Sequence, residues 1–362
     1  MFYSTRIADV ATKFTVGTEM QIGQTSAQNY GNQMGKASSL NFDDDIRIKS
    51  ALYFGSAELD LTENLLLTVG TSLNMLRYDF DRIVTNITSD TTGFYEKKFT
   101  PQLMPRIGLV NKIAPNMSLH GSISFGFSPP TVEEVRTNEG SLNLGLAAEK
   151  GTSFEVGARG SFLKNRIKYD ATFFYFRLND AIVQQQTPRG TNIFINAGSA
   201  NQAGFELSTS ILLLDNPVQI INQIELNNAL TINRFYFDEY ETNSGDFSGN
   251  KLTGVAPNIS TTTFTVKAKG GLYSSAGHYF TDEIPLNDAN SFYSNKSHVV
   301  KLTAGFKRQL LERLTINVSF SLDNLLNEEY SLGYDINAFG ARYYQPAPAR
   351  NWFGGLKLIY DF

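Results

Sequence analysis

The last eleven residues put Leu356, Leu358, Tyr360 and Phe362 at a strict two-residue spacing, so one face of that segment is apolar and the other is not. Successive side chains of a β-strand point to opposite sides of its sheet, and this period of two is the mark of a strand with unlike faces. The pattern recurs upstream. Leu314, Ile316, Val318, Phe320 and Leu322 alternate with Thr315, Asn317, Ser319, Ser321 and Asp323. Met117, Leu119, Gly121, Ile123 and Phe125 alternate with Ser118, His120, Ser122, Ser124 and Gly126, and Phe154, Val156 and Ala158 with Ser153, Glu155, Gly157 and Arg159.

What these strands can build is narrowed by what the chain lacks. No run of strictly apolar residues exceeds four, which excludes a transmembrane helix of about 20 residues. Charged residues make up 18% of the 362, below the roughly 25% of soluble domains. If the chain spans a bilayer, it does so as a closed barrel, the one sheet architecture that leaves no backbone polar group facing lipid. The absence of cysteine removes disulfides, thiolate metal sites and thiol nucleophiles. His120, His278 and His298 are its three histidines, and the net charge of −4 argues against a nucleic-acid partner. The reading includes no cofactor and no metal.

The spacing of breaks says more than any one strand. Short connections stand at Thr62-Glu63-Asn64, Ala114-Pro115-Asn116, Leu163-Lys164-Asn165-Arg166, Asp215-Asn216-Pro217, Lys269-Gly270-Gly271 and Leu311-Glu312-Arg313, all turn formers or charges. Between them lie polar, aromatic and Gly-rich stretches at 23–46, 78–98, 128–151, 180–194, 236–258, 280–296 and 327–350, read as long loops. Tight turns on one side and long loops on the other is the pattern of transmembrane barrels. The expected fold is an all-β, antiparallel transmembrane barrel with about 14 strands, starting near Phe14. Residues 1–11 read either way, with one more strand and its turn as the alternative.

Several segments, in order, carry a family resemblance. Phe125-Gly126-Phe127-Ser128-Pro129-Pro130-Thr131-Val132-Glu133-Glu134 is followed by Leu146 to Gly157, then by Ala171 to Tyr175 with Leu178-Asn179-Asp180, and by Asn196 to Ala200 with Gly204-Phe205-Glu206. Leu322-Asp323-Asn324-Leu325-Leu326-Asn327-Glu328-Glu329-Tyr330 and Pro346-Ala347-Pro348-Ala349-Arg350-Asn351 complete the set. Together they resemble the barrel of TonB-dependent outer-membrane receptors, over about residues 100–362. The resemblance implies a barrel of about 22 strands around a plug domain, in the outer membrane of a Gram-negative bacterium. With about 14 strands, no plug-like segment and no signal peptide, residues 1–362 are expected to be the C-terminal part of such a receptor.

Function is then expected to be TonB-dependent uptake of a scarce nutrient, a ferric siderophore or other iron chelate first, with cobalamin, haem or an oligosaccharide as alternatives. A passive pore formed by self-closure is the reading from another class. The resemblance implies as partners the outer-membrane lipid, a small chelate ligand, the barrel assembly machinery and the TonB complex acting through the plug. The terminal Leu358, Tyr360 and Phe362 are expected to be the assembly signal.

Two groups of candidate residues follow. Lumen-facing charges Glu155, Arg159, Lys168, Asp170 and Glu206, with Glu225, Lys267 and Lys301, are expected either to meet a plug or to be hydrated in a wide lumen. In the long loops, Arg342 with Tyr343, Tyr344 and Phe339, together with Tyr236, Tyr240 and Tyr95, are the candidates for holding an anionic chelate by charge and stacking; an interfacial aromatic girdle is the alternative. Asp43-Asp44-Asp45 fits no calcium-loop spacing and reads as a solvated loop. Glu133 and Glu134, as neighbours that would point to opposite faces of a strand, are not read as a catalytic pair but as a structural motif of the resembled family at a loop entry. His120 among Ser118, Ser122 and Ser124 raises a serine–histidine pair, but its flanking motifs are those of a transporter, and the chain is read as no enzyme.

Overall fold

The computed structural model describes residues 1–86, 91–137, 140–186, 192–215, 220–242 and 245–361. Its strands in the first half of the chain are β1 (Phe2–Ile7), β2 (Val10–Gln33), β3 (Lys36–Thr62), β4 (Leu65–Thr85), β5 (Gly93–Lys98), β6 (Gln102–Ala114), β7 (Met117–Ser128) and β8 (Glu149–Phe162). Next come β9 (Ile167–Gln186), β10 (Asn192–Asp215), β11 (Ile221–Glu239), β12 (Glu241–Thr242), β13 (Gly245–Asp246) and β14 (Asn258–Ala268). The series ends with β15 (Leu272–Thr281), β16 (Ser297–Leu311), β17 (Leu314–Asp323), β18 (Ser331–Tyr334), β19 (Tyr344–Pro346) and β20 (Asn351–Tyr360). A single turn of helix, α1 (Val132–Val135), interrupts them.

One 16-stranded antiparallel sheet takes up most of these, each long strand beside its sequence neighbour in a meander from β1 to β20. The expected strands are all present, and β1 adds one from the ambiguous first residues, folded back on β2 through Ala8 and Asp9 at φ 47° and 66°. Two successive positive φ values give the twist a two-residue hairpin needs. The expected short turns fall between strand ends as read, except that the middle of Asp215-Asn216-Pro217 lies outside the described residues.

Register assigns the two faces. One carries Phe154, Phe162, Tyr169, Phe173, Phe320 and Tyr360, the aromatics expected to face lipid. The other carries Ser122, Glu155, Phe174, Gly204 and Asn233 in successive cross-strand partners. This inner face uses glycine to seat aromatics: a Cβ on Gly204 would lie 2.3 Å from the Phe174 ring and 2.7 Å from the Ile232 carbonyl, so the ring lies flat across the neighbouring strand.

Three of the expected loops are largely strand instead. Residues 23–46 continue β2 and β3 as a hairpin closed at Met34 and Gly35, 78–98 hold the end of β4 and the β5 strand paired with it, and 180–186 and 192–194 extend β9 and β10, paired from Asn192 and Gln186. Polar residues on both faces hide the alternation, yet the backbone ladder needs only paired main-chain groups. Cross-strand bonds confirm the register, Gln28 Nε2 donating to Asp43 Oδ2 at 2.9 Å and Asn41 Nδ2 to Asn29 Oδ1 at 2.8 Å.

Candidate ligand-capture surface and lumen wall

The inner face of the wall gathers the charges read from sequence. Glu155, Arg159, Asp170 and Glu206 line one concavity together with Arg106, His120, Thr172 and Thr231. Arg159 stands directly across from Asp170, and Glu206 across from both Thr172 and Thr231. Lys168 shares the face, paired across with Ser161 and Ser210. Glu225 accepts from Ser210 Oγ at 3.1 Å, Lys267 donates to Gln223 at 3.0 Å, and Lys301 pairs with Asp323 at 2.8 Å. His120 Nε2 lies 3.4 Å from Thr172 Oγ1, so the hydroxyl it meets is not one of the three serines on its strand.

Above the wall the long connections pack into nuclei. The first forms where the segment after β7 folds across the inner face of β3 and β4. Thr131 caps α1 in a reciprocal capping box, accepting from the Glu134 amide while the Glu134 carboxylate accepts from the Thr131 amide. Glu133 and Glu134 therefore sit at the entry of the loop after β7, in a first helical turn and not on a strand, which corrects the strand geometry of the sequence reading. Val135 is fully buried against Ile46, Tyr78, Phe80, Phe99 and Ala148, and Tyr78 donates to the Pro130 carbonyl at 2.8 Å. At its centre Asp44 accepts from Arg82 Nε at 2.7 Å, Arg82 Nη2 at 3.0 Å and Arg136 Nε at 2.7 Å. Arg82 also donates to the Gly140 carbonyl at 2.6 Å, and the Arg136 guanidinium lies 4.4 Å from the Phe42 ring. The side chains of Asp44 and Arg82 are both 0% exposed. The expectation of a solvated acidic loop fails for Asp44, because two guanidiniums supply the counter-charge that makes its burial tolerable.

A second nucleus joins the later loops around Asp288, which accepts from Tyr240 Oη at 2.8 Å and from Thr253 Oγ1. Gln185 donates to Tyr240 Oη, the Asp288 amide to Asn337 Oδ1, and Asn337 Nδ2 to the Gln184 carbonyl. Tyr240 packs at a tilt between the rings of Phe237 and Phe247, while Tyr343 packs with Ile284, Leu286, Ala256 and Ala338. Burial, with Asp288 adjacent, raises the Tyr240 phenol well above its usual range.

The loop candidates thus divide. Tyr240 and Tyr343, 1% and 6% exposed, are spent on packing. Tyr95 pairs with Phe80 across β4 and β5 and donates to the Thr91 carbonyl. Tyr236 points to the outward face, away from the lumen, while Phe235 before it meets Phe174 on the inner one. Arg342, Tyr344 and Phe339 are exposed at the crown, with Tyr344 edge-on to Tyr334 at 5.8 Å. Sequence reasoning missed Asp288, Asn337 and Arg82, whose partners lie far off in the chain. It also missed the Thr131-x-x-Glu134 capping signal, which is local and legible. Leu358 and Tyr360 point outward on β20, opposite Ile316 and Leu314 of β17, and Phe362 lies outside the described residues.

Asp282 anchors the loop after β15. Burial alone would raise its carboxyl, but hydrogen bonds from Asn258, Lys296 and the Glu283 amide outweigh that and hold it below the usual carboxylate range. A depressed folded value means the stabilisation is present above the ordinary carboxylate pKa of about 4 and is lost as pH falls through the lower folded one. Amides of 282–296 are therefore expected to be better protected in the wild type than in Asp282→Asn at pH 7, with the difference closing as pH falls below the ordinary carboxylate range. Hydrogen exchange over that range checks it; a gap that persists in acid would refute the assignment.

Comparison with known proteins agrees with this architecture. The family model for the TonB-dependent receptor-like β-barrel matches residues 3–325. A probable TonB-dependent siderophore receptor, PiuA of Acinetobacter baumannii, is 21% identical over 320 residues, 85% of this chain and 40% of that protein. The crystal structure of PiuA superposes with a TM-score of 0.75 at 16% identity, covering 99% of this chain and 54% of that one. The unliganded ferric citrate transporter FecA gives 0.78 at 14%, covering 99% and 53%. The chain spans about half the length of the solved relatives it matches. The family model covers most of this meandering antiparallel wall, and the chain belongs to the TonB-dependent receptor β-barrels of the Gram-negative outer membrane.

Proposed function

We propose that this chain forms wall and crown of a receptor that captures a ferric siderophore or another iron chelate and delivers it inward, driven by the TonB complex through a plug held against the inner charges. The observation that carries the reading is the placement of Arg342 at the crown beside exposed Phe339 and Tyr344, above a rigid floor in which Tyr343 meets Phe292 at 5.7 Å. A guanidinium beside exposed aromatic rings can hold an anionic chelate by charge and by stacking on its flat ligand groups. The neighbours' names, a siderophore receptor and a ferric citrate transporter, support the chemistry of the cargo. Mixed charges around Arg106, Glu155, Arg159, Asp170 and Glu206 suit a protein surface better than a selective pore, since opposite signs in one concavity favour neither anions nor cations.

Arg342→Ala is expected to weaken binding of an anionic ferric catecholate to the full chain by about tenfold or more, as loss of one charged contact does. Calorimetric titration with iron content measured in parallel checks this. Equal affinity in Arg342→Ala and wild type would remove Arg342 from the reading, and preference for the iron-free chelator would remove iron.

A further inference from the structure

The outward face changes character near the crown. Register aligns Val156, Phe173, Phe205 and Ile232 in one row, and Phe154, Tyr175, Ala203 and Arg234 in the next. The row above holds Arg177, Asn201, Tyr236 and Lys251. An apolar band gives way to aromatics and then to cations, the order found at a bilayer boundary, where rings sit at headgroup level and long basic side chains reach outward.

At this boundary a concavity of about 230 Å³ opens between β11, β14 and the loop after β15. Its lining holds three cations, Arg234, Lys251 and Lys296, against two carboxylates, Asp282 and Glu283, an excess of one positive charge. Lys296 and Asp282 satisfy each other at 3.0 Å. Arg234 donates to the carbonyls of Asn233 at 2.8 Å and Pro257 at 3.4 Å, which fixes its guanidinium without a counter-charge. Lys251 Nζ stands 5.4 Å from the centroid of Tyr293. Arg234 and Tyr236 point away from the lumen, so cargo moving through the wall does not meet them.

We propose that this concavity binds a phosphoryl group on the headgroup of an outer-leaflet lipid. A guanidinium held on backbone carbonyls offers paired N–H donors to phosphate oxygens, and Lys251 adds an ammonium from the same lining. Acyl chains of the same lipid would lie along the Ile232, Phe205 and Phe173 row below. This site is separate from the chelate-binding reading, which concerns the crown.

The test is native mass spectrometry of the full chain in detergent with bisphosphorylated lipid A as probe. Retention is expected to favour the bisphosphorylated form over a chemically dephosphorylated one by about tenfold. The double variant Arg234→Ala with Lys251→Ala is expected to lose that preference, whereas Arg308→Ala, on the outward face at the other end of β16, keeps it. Equal retention of the two lipids by the wild type overturns the proposal without any variant. So does equal loss in Arg308→Ala, or displacement of bound lipid A by millimolar inorganic phosphate, which would mark a free-anion site.

Discussion

Asp44→Ala is expected to unlatch the segment between β7 and β8 from the wall and to speed its proteolysis by about 100- to 4,000-fold, the equivalent of about 3 to 5 kcal/mol for breaking a buried ion pair. The size follows from what remains. Arg82 and Arg136 share the Asp44 carboxylate, and the Arg82 side chain is wholly enclosed, so removing the acid leaves two guanidiniums competing for one dry site. Arg136→Ala should cost less, because Arg136 is partly exposed and its loss leaves Asp44 paired with Arg82. A double variant, Asp44→Ala with Arg82→Met, should recover part of the loss, since replacing a buried pair by apolar groups is often neutral where halving it is not. Limited proteolysis with a marker cleavage in 136–148 reads all three. Equal rates in Asp44→Ala and wild type would show that the apolar contacts of Val135 and Ala148 hold the segment without the ions.

That prediction rests on contacts no local pattern announces, and this divides what the chain discloses from what it hides. A strand with unlike faces repeats every two residues, and a hairpin turn is set by the few residues it contains. Leu314 to Leu322, Lys269-Gly270-Gly271 and Glu63-Asn64 therefore announce strand and turn by themselves. Above the apolar band both faces are wet, alternation fades, and β2 and β3 read as loop although their ladder runs on to Gln33 and Lys36. The crown is harder still. Asp44 meets Arg136 across 92 residues, and Tyr240 meets Asp288 across 48, so a polar loop residue with a buried partner looks in sequence like one in water. The aromatic clusters were visible as composition. Which of them face outward depends on side-chain direction within a packed loop, and there Tyr343 turns in while its neighbours Arg342 and Tyr344 turn out.

Asp288→Ala carries the second large effect, because its carboxylate joins loops that share no strand. Two hydroxyls donate to it from Tyr240 and Thr253, and its own amide reaches Asn337, which in turn holds the end of β9. Removing the side chain leaves both hydroxyls without their acceptor in a site where Asp288 is 5% and Tyr240 1% exposed. An unsatisfied buried donor costs about 1 to 3 kcal/mol, so the pair amounts to about 2 to 6 kcal/mol of local opening. Amides of 247–254 and 284–294 are expected to exchange about 30- to 20,000-fold faster, while those of β16 and β17 keep their wild-type rates, since the wall is held by its own ladder. Tyr240→Phe separates the two donors. It removes one hydroxyl together with its need for an acceptor, so it should cost less than Asp288→Ala, and adding it to Asp288→Ala should cost less than the sum. Strict additivity of the two changes would mean that the Tyr240 to Asp288 contact contributes nothing, and that the crown is held by the packing of Phe237, Phe247 and Tyr343 alone.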